Sequence, residues 1–159
     1  MSVVDLNELN RLVPKHARLL GLDLGEKTIG LALSDTSRTI ATPMLTLKRG
    51  KFAVDAEQIA VIISEQIVGG LVIGLPLNMD GTEGPSAQSA RAFGRNFAAL
   101  SEVPIAFCDE RLSTVAVTRT LLDADASRKR RARVVDKMAA AFVLQGALDR
   151  LKHETRNEI

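Results

Sequence analysis

Asp23, Glu110 and Asp136 are the residues whose types and settings suit chemistry on a phosphate ester. Asp23 is the single acid in the apolar run LGLDLG that opens the stretch LGLDLGEKTIGLALSD at 20–35. A carboxylate buried in a strand costs free energy unless a partner compensates it. Alternation along an extended chain puts Gly21, Asp23 and Gly25 on one face and Leu20, Leu22 and Leu24 on the other. Residues without bulk therefore flank the acid and leave room for a ligand. Two ligands fit this pattern: a nucleotide phosphate with its metal, or a metal that cuts a nucleic acid. A strand-end Asp that caps the following turn is the structural alternative.

Glu110 follows the strand-like segment PIAFCD at 104–109. Ile105, Phe107 and Asp109 share one face of that strand, and Ala106, Cys108 and Glu110 share the other. Asp109 and Glu110 thus point apart. Both stand at the carboxyl end of a strand expected to run parallel to the first, where ligands of α/β sheets collect. Asp136 opens a helical pattern in which Ala139, Ala140, Val143 and Ala147 recur on its own face, at spacings of three, four, seven and eleven. A dipole-favoured acid in a first turn predicts a polar face, and this face is small and apolar.

Three acids from distant parts of the chain can therefore converge at one end of a sheet. Like charges that close raise one another's pKa, and divalent cations resolve the conflict. Oxygen ligands without His or Cys select Mg²⁺ or Mn²⁺. Two such ions activate water and stabilise the leaving oxygen of a phosphodiester.

The elements that must place these acids follow from the pattern. Residues 1–16 read as a short leader with room for one or two turns of helix. Ala17 to Leu24, Thr28 to Ser34 and Thr39 to Leu47 read as three antiparallel strands joined by short turns. Pro43 suggests an edge or a bulge in the third. Apolar residues at helical spacing span Ala53 to Val68, with Gly69-Gly70 ending that helix. LVIGLP at 71–76 is a buried strand, LNMDGTEG at 77–84 a loop, and Pro85 starts a helix that runs to about Leu100. After the strand at 104–109, a helix is expected over 114–122 with Ser113 as its cap. A basic loop at 127–133 and a long helix from about Val134 to Leu151 complete the order. Strands alternating with helices in the second half imply parallel pairing. The expectation is a single domain: a five-stranded mixed sheet, three strands antiparallel and then two parallel, with helices on both faces.

Length and composition agree. The chain has 159 residues, 46% hydrophobic and 25% charged, with one cysteine, a globular profile with no intrachain disulfide. No apolar run approaches the ~18 residues that span a bilayer, and the first fifteen residues do not resemble a signal peptide. A cytoplasmic home and no membrane partner are expected. The net charge is only +2, but Arg128, Lys129, Arg130, Arg131 and Arg133 fall within six positions. Trp and Tyr are absent, which argues against stacking successive bases on aromatic rings. A protein that holds phosphates and reads shape is consistent with both facts.

Four blocks, GLDLGEKTIGLALSD, VIGLPLNMDGTEGPSAQ, DERLST and KRRARVVDKMAAAFVLQ, resemble those of the YqgF family in order and spacing, from about Ala17 to Leu151. Its members carry the names pre-16S rRNA nuclease and, earlier, Holliday-junction resolvase. The resemblance implies an RNase H-like fold and a metal-dependent nuclease with acids at Asp23, Glu110 and Asp136. It also implies a structured nucleic acid as partner, RNA favoured over DNA, on a monomer or homodimer. Here DERLST is followed by Val-Ala-Val where the family's helix start contains an acid, which weakens a cap and touches no ligand.

Lys27, Arg111, Lys129, Arg130, Arg131, Arg133 and Lys137 are the candidate contacts to the nucleic-acid backbone. Asn78, Asp80 and Thr82 either touch substrate or serve turn chemistry. The competing functions are a resolvase of four-way DNA, which needs two sites in a dimer, and an actin-like or sugar-kinase ATPase, which closes two domains over ATP. A non-catalytic module that docks on RNA or protein is the fourth.

Overall fold

The computed structural model describes the backbone of residues 3–112 and 128–157, and the side chains of 3–111 and 137–152. The helix expected over 114–122 and its cap lie outside the described residues. Helix α1 (Leu6–Leu12) leads into strands β1 (Arg18–Leu24), β2 (Thr28–Ser34) and β3 (Ala41–Lys48). Then come α2 (Phe52–Glu65), β4 (Val68–Leu75), α3 (Pro85–Leu100) and β5 (Ile105–Asp109). A 3₁₀ turn at Glu110–Leu112 and the long helix α4 (Arg128–Asn157) complete the described elements.

The strands form one sheet in the order β3-β2-β1-β4-β5. β1 pairs antiparallel with β2 and parallel with β4, and β4 pairs parallel with β5. β3 is an edge, and its register against β2 shifts between Leu31 and Ala32, opposite Pro43. Pro43 is thus accommodated by both devices the sequence suggests. The expected mixed sheet is the observed one.

Residue size sorts the two faces. Leu20, Leu22, Leu31, Leu71 and Ile73 pack under α2 and α3 with Phe93 and Phe97. On the other face, Ala32, Val72, Ala106 and Cys108 lie with Ala139, Ala140, Val143, Leu144 and Ala147 of α4. Small residues on both partners let helix and sheet approach closely. At Gly21 an added Cβ would stand 2.8 Å from Leu144 Cβ and 3.1 Å from the Ala140 carbonyl oxygen.

Three expectations are corrected. The leader does hold two turns of helix, but residues 3–16 pack into the fold as part of its core. Asp5 caps α1 by accepting from the Glu8 amide, Leu9 is fully buried, and the Val4 amide donates to Ile105 on β5. Second, Gly69 and Gly70 do not end α2, which stops at Glu65, but lie inside β4. They are glycines because the α1 region crosses there. A Cβ on Gly69 would stand 2.8 Å from Ala17 Cβ, and one on Gly70 would stand 2.9 Å from Leu9 Cδ1. Ile67 makes the turn instead, at φ 54°. Third, the run 128–133 is no loop, because α4 begins at Arg128. Arg, Lys and Ala are strong helix formers, and their propensity outweighs the few tenths of a kcal/mol that like charges cost at i,i+4.

Candidate active site

The parallel strands β1, β4 and β5 bring their carboxyl ends to one side of the sheet. Asp23, the penultimate residue of β1, is buried at 1% exposure. It shares the α4 face with Gly21, as alternation requires. Leu22 pairs with Ile73, so the strand spacing of about 4.8 Å sets Gly74 beside Asp23. Gly74 in turn pairs with Cys108.

Glu110 leaves the end of β5 in the 3₁₀ turn and folds back over β4. A Cβ on Gly74 would stand 2.7 Å from Glu110 Oε1 and 3.1 Å from Val143 Cγ2. The Glu110 carboxylate therefore occupies the space that Gly74 leaves open, on the α4 side and next to Asp23. Two acids that are 87 positions apart in the chain thus lie on the same face, at the carboxyl ends of the parallel strands. Sequence reasoning puts residues 74–76 near the site but gives Gly74 no role, although a glycine inside a buried apolar strand is a signal for close approach.

Asp136 lies on α4 one turn before Ala140, and its side chain is outside the described residues. Its backbone position follows from two contacts. Ala140 sits over Gly21, while Gln145 accepts from the Ala41 amide and donates to the Thr39 carbonyl at the start of β3. That strand start pairs with Ser34, beside the amino end of β1. The helix thus runs antiparallel to β1, and residues before Ala140 lie toward the Asp23 end. Among the described residues no group of three or more His, Cys, Asp and Glu side chains is placed to hold a metal ion. Asp23 and Glu110 supply only carboxylate oxygens, the hard donors that suit Mg²⁺ or Mn²⁺.

Asp109 points to the opposite face, as alternation requires, and is engaged by Arg111. The guanidinium donates to Asp109 Oδ2 at 2.8 Å through Nη2 and to both oxygens through Nε. This bond holds the Asp109 carboxyl below its ordinary range. Arg111 Nη1 also donates to the Met79 carbonyl at 3.2 Å. Arg111 is therefore a strut between the Glu110 turn and the 77–84 loop. Asn78, Asp80 and Thr82 resolve toward turn chemistry, since Thr82 bonds both Asp80 and Asn78. Lys27 is exposed in the β1–β2 turn at the Asp23 end. Arg49 braces the same turn, donating to the Gly25 carbonyl at 2.7 Å and to Ser89 on α3, a role with no motif in the sequence. Lys137 is half-buried, and Lys129, Arg130, Arg131 and Arg133 line the first turns of α4, with side chains outside the described residues.

Residues 17–150 match the RuvX family, described as Holliday junction resolvase. The chain belongs to the RuvX family. Among RuvX relatives, a protein of Paramagnetospirillum magneticum is 62% identical over 149 residues, covering 94% of this chain and 96% of that protein. One of Rhodobacter capsulatus is 55% identical over 148 residues, covering 93% of each. Both are provisionally named pre-16S rRNA nuclease. Two solved structures share the RNase H-like fold. Thermus thermophilus RuvC, in complex with a Holliday junction substrate, aligns at TM-score 0.52 and 12% identity over 84% of this chain and 94% of its own. The yeast mitochondrial Holliday junction resolvase Ydc2 aligns at TM-score 0.51 and 11% identity, covering 96% of this chain and 88% of that one. The RuvX assignment matches the family reached from the four sequence blocks and makes the chain a member of a nuclease family.

Proposed function

We propose that this protein is a nuclease that hydrolyses phosphodiester bonds of structured RNA and processes the 5′ end of precursor 16S rRNA. The observation that carries the reading is the Glu110 carboxylate lying over Gly74, the residue beside buried Asp23, at the carboxyl ends of three parallel strands. The names of the relatives at 62% and 55% identity favour the RNA substrate. Asp23, Glu110 and Asp136 would hold two divalent cations, Mg²⁺ or Mn²⁺. Bound there, the ions would supply Lewis-acid activation of water and neutralise charge on the scissile phosphate.

The chain's own residues do the rest. Asp23 is fixed by β1 and its burial, so its carboxylate is preorganised before substrate arrives. Glu110 is held over Gly74 by the turn that Arg111 ties down. Lys27 contacts phosphate at the β1–β2 turn, and the basic start of α4 holds backbone phosphates further along the RNA. The absence of any helix long and apolar enough to cross a membrane, among the described residues, is compatible with work in the cytoplasm.

The test uses purified Asp23→Asn and Asp136→Asn with Mg²⁺ or Mn²⁺ on precursor rRNA and on a four-way DNA junction. The reading expects metal-dependent cutting of the rRNA by the parent and loss of at least a hundredfold in both variants. Variants that cut as fast as the parent sink the three-acid site. The family description supports a second reading, a DNA junction resolvase. Preference for the four-way junction, together with a dimer on sizing, would move the assignment there.

A further inference from the structure

The β1–β2 turn stands at the Asp23 end of the sheet, and it is held from outside. Leu24 pairs with Ile29, so residues 25–28 form the turn. One hydrogen bond closes it, from the Gly25 amide to the Thr28 carbonyl at 2.8 Å. None of its residues takes a positive φ, although the commonest short hairpins rely on a left-handed residue to match the twist of their strands. Arg49 supplies the missing hold. Its amide donates to the Lys27 carbonyl at 2.9 Å. Its guanidinium donates to the Gly25 carbonyl at 2.7 Å through Nη1 and to Ser89 Oγ on α3 at 3.1 Å through Nη2.

Arg49 is itself anchored on both sides. Lys48 before it pairs with Thr28 at the end of β3. Gly50 after it donates its amide to the buried carboxylate of Asp55 on α2, 3.2 Å from each oxygen. The turn is therefore tied to a fixed post. Both acceptors of the guanidinium are neutral, so the tie uses its planar fork rather than its charge. Asp23 does not depend on this tie, because it lies within the ladder, opposite Gly30. Lys27 does. Its side chain is exposed, beyond the last pair of the hairpin, and takes its reach from the backbone that Arg49 holds.

We propose that Arg49 is a positioning residue that acts through Lys27: it fixes the β1–β2 turn so that the Lys27 ammonium meets a backbone phosphate of the RNA at the Asp23 end of the sheet. This rests on the nuclease reading above. A contact fixed in advance loses less freedom when substrate arrives, so Arg49 governs substrate affinity and leaves the acids as they are.

The test measures binding of the full-length protein to a fluorescent precursor-rRNA hairpin in EDTA across a salt series, then cleavage of the same RNA with Mg²⁺ or Mn²⁺. Lys27→Ala should weaken binding about tenfold at low salt and flatten the salt slope by roughly one, the signature of one lost phosphate contact. Arg49→Lys keeps the charge and loses the fork. It should weaken binding about fivefold, flatten the slope although no charge is lost, and raise KM by the same factor with kcat within about twofold. Added to Lys27→Ala, it should cost less than about twofold more, because residues that act as one unit are not additive. Ser89→Ala, which cuts only the α3 end of the tie, should weaken binding about threefold in the same manner. If melting curves show Arg49→Lys unfolded, Ser89→Ala and its double with Lys27→Ala carry the test. The inference is overturned if Lys27→Ala or Arg49→Lys binds like the parent, if the two losses multiply in the double variant, or if Arg49→Lys lowers kcat at unchanged KM. Asp23→Asn should bind and not cut. If it cuts, the acid site falls while the binding series in EDTA still decides Arg49.

Discussion

Glu110 rests its carboxylate on Gly74, with Oε1 only 2.7 Å from the point a Cβ would take. A methyl group there is well inside contact distance, so Glu110 must swing aside. Gly74→Ala is expected to cut kcat by about a hundredfold, the scale of a misplacement near 1 Å. Val143 Cγ2, 3.1 Å away, yields by a few tenths of an ångström, so the protein should remain folded. Adding Glu110→Asp, which shortens the acid by one methylene, should restore part of the rate. Kinetics of the single and double variants, with melting curves alongside, check this.

Ile67 carries a β-branched side chain at φ 54° while 66% exposed. It stands where a helix ordinarily hands over to glycine, and the left-handed conformation costs an L-residue roughly 1–2 kcal/mol. Ile67→Gly should therefore raise stability by about 1 kcal/mol at 25 °C, seen as a higher urea midpoint with an unchanged slope. A lower midpoint would show that the side chain contributes packing its exposure does not suggest.

Leu9 tests whether the amino-terminal segment belongs to the core. Its side chain is fully buried and approaches Gly70. Leu9→Ala should destabilise by roughly 2–5 kcal/mol, measured by chemical denaturation. A dispensable leader would show no change.

The Asp109–Arg111 pair predicts a pH dependence. Arg111 depresses the Asp109 carboxyl below its ordinary value of 3.8. The pair's contribution is thus fully present above that value and fades as pH falls below it, through the depressed folded-state value. The stability difference between the parent and Asp109→Asn should be constant from about pH 5 to 7 and shrink toward pH 3. Proteolysis of the 77–84 loop should accelerate in Asp109→Asn at neutral pH, because the strut then loses its charged partner.

Much of this arrangement was legible in the sequence. Period-two alternation correctly placed Asp23 with Gly21, and Glu110 with Cys108, while period 3.6 found the apolar stripe of α4 from Ala139 to Ala147. Glycine and charge were the ambiguous signals. Gly69-Gly70 reads equally as a helix stop or as room for a crossing chain, and only the tertiary contact with Leu9 and Ala17 decides. The basic run reads as solvated loop on charge and as helix on propensity, and propensity prevailed. The strut role of Arg111 had no signal in the sequence, because its partners, Asp109 and the Met79 carbonyl, lie two and 32 positions away. No local rule links it to that carbonyl.

The close seating of Leu144 on Gly21 also bears on timing. These residues are 123 positions apart in the chain, and α4 follows all five strands. During synthesis the sheet emerges first, with the Gly21, Ala32 and Val72 side uncovered. Asp136 arrives on the element that later covers it. Contacts of such separation form late and slowly. A ribosome-bound chain stopped after β5 would hold Asp23 and Glu110 without Asp136, so the proposed three-acid site would be complete only once synthesis passes the start of α4.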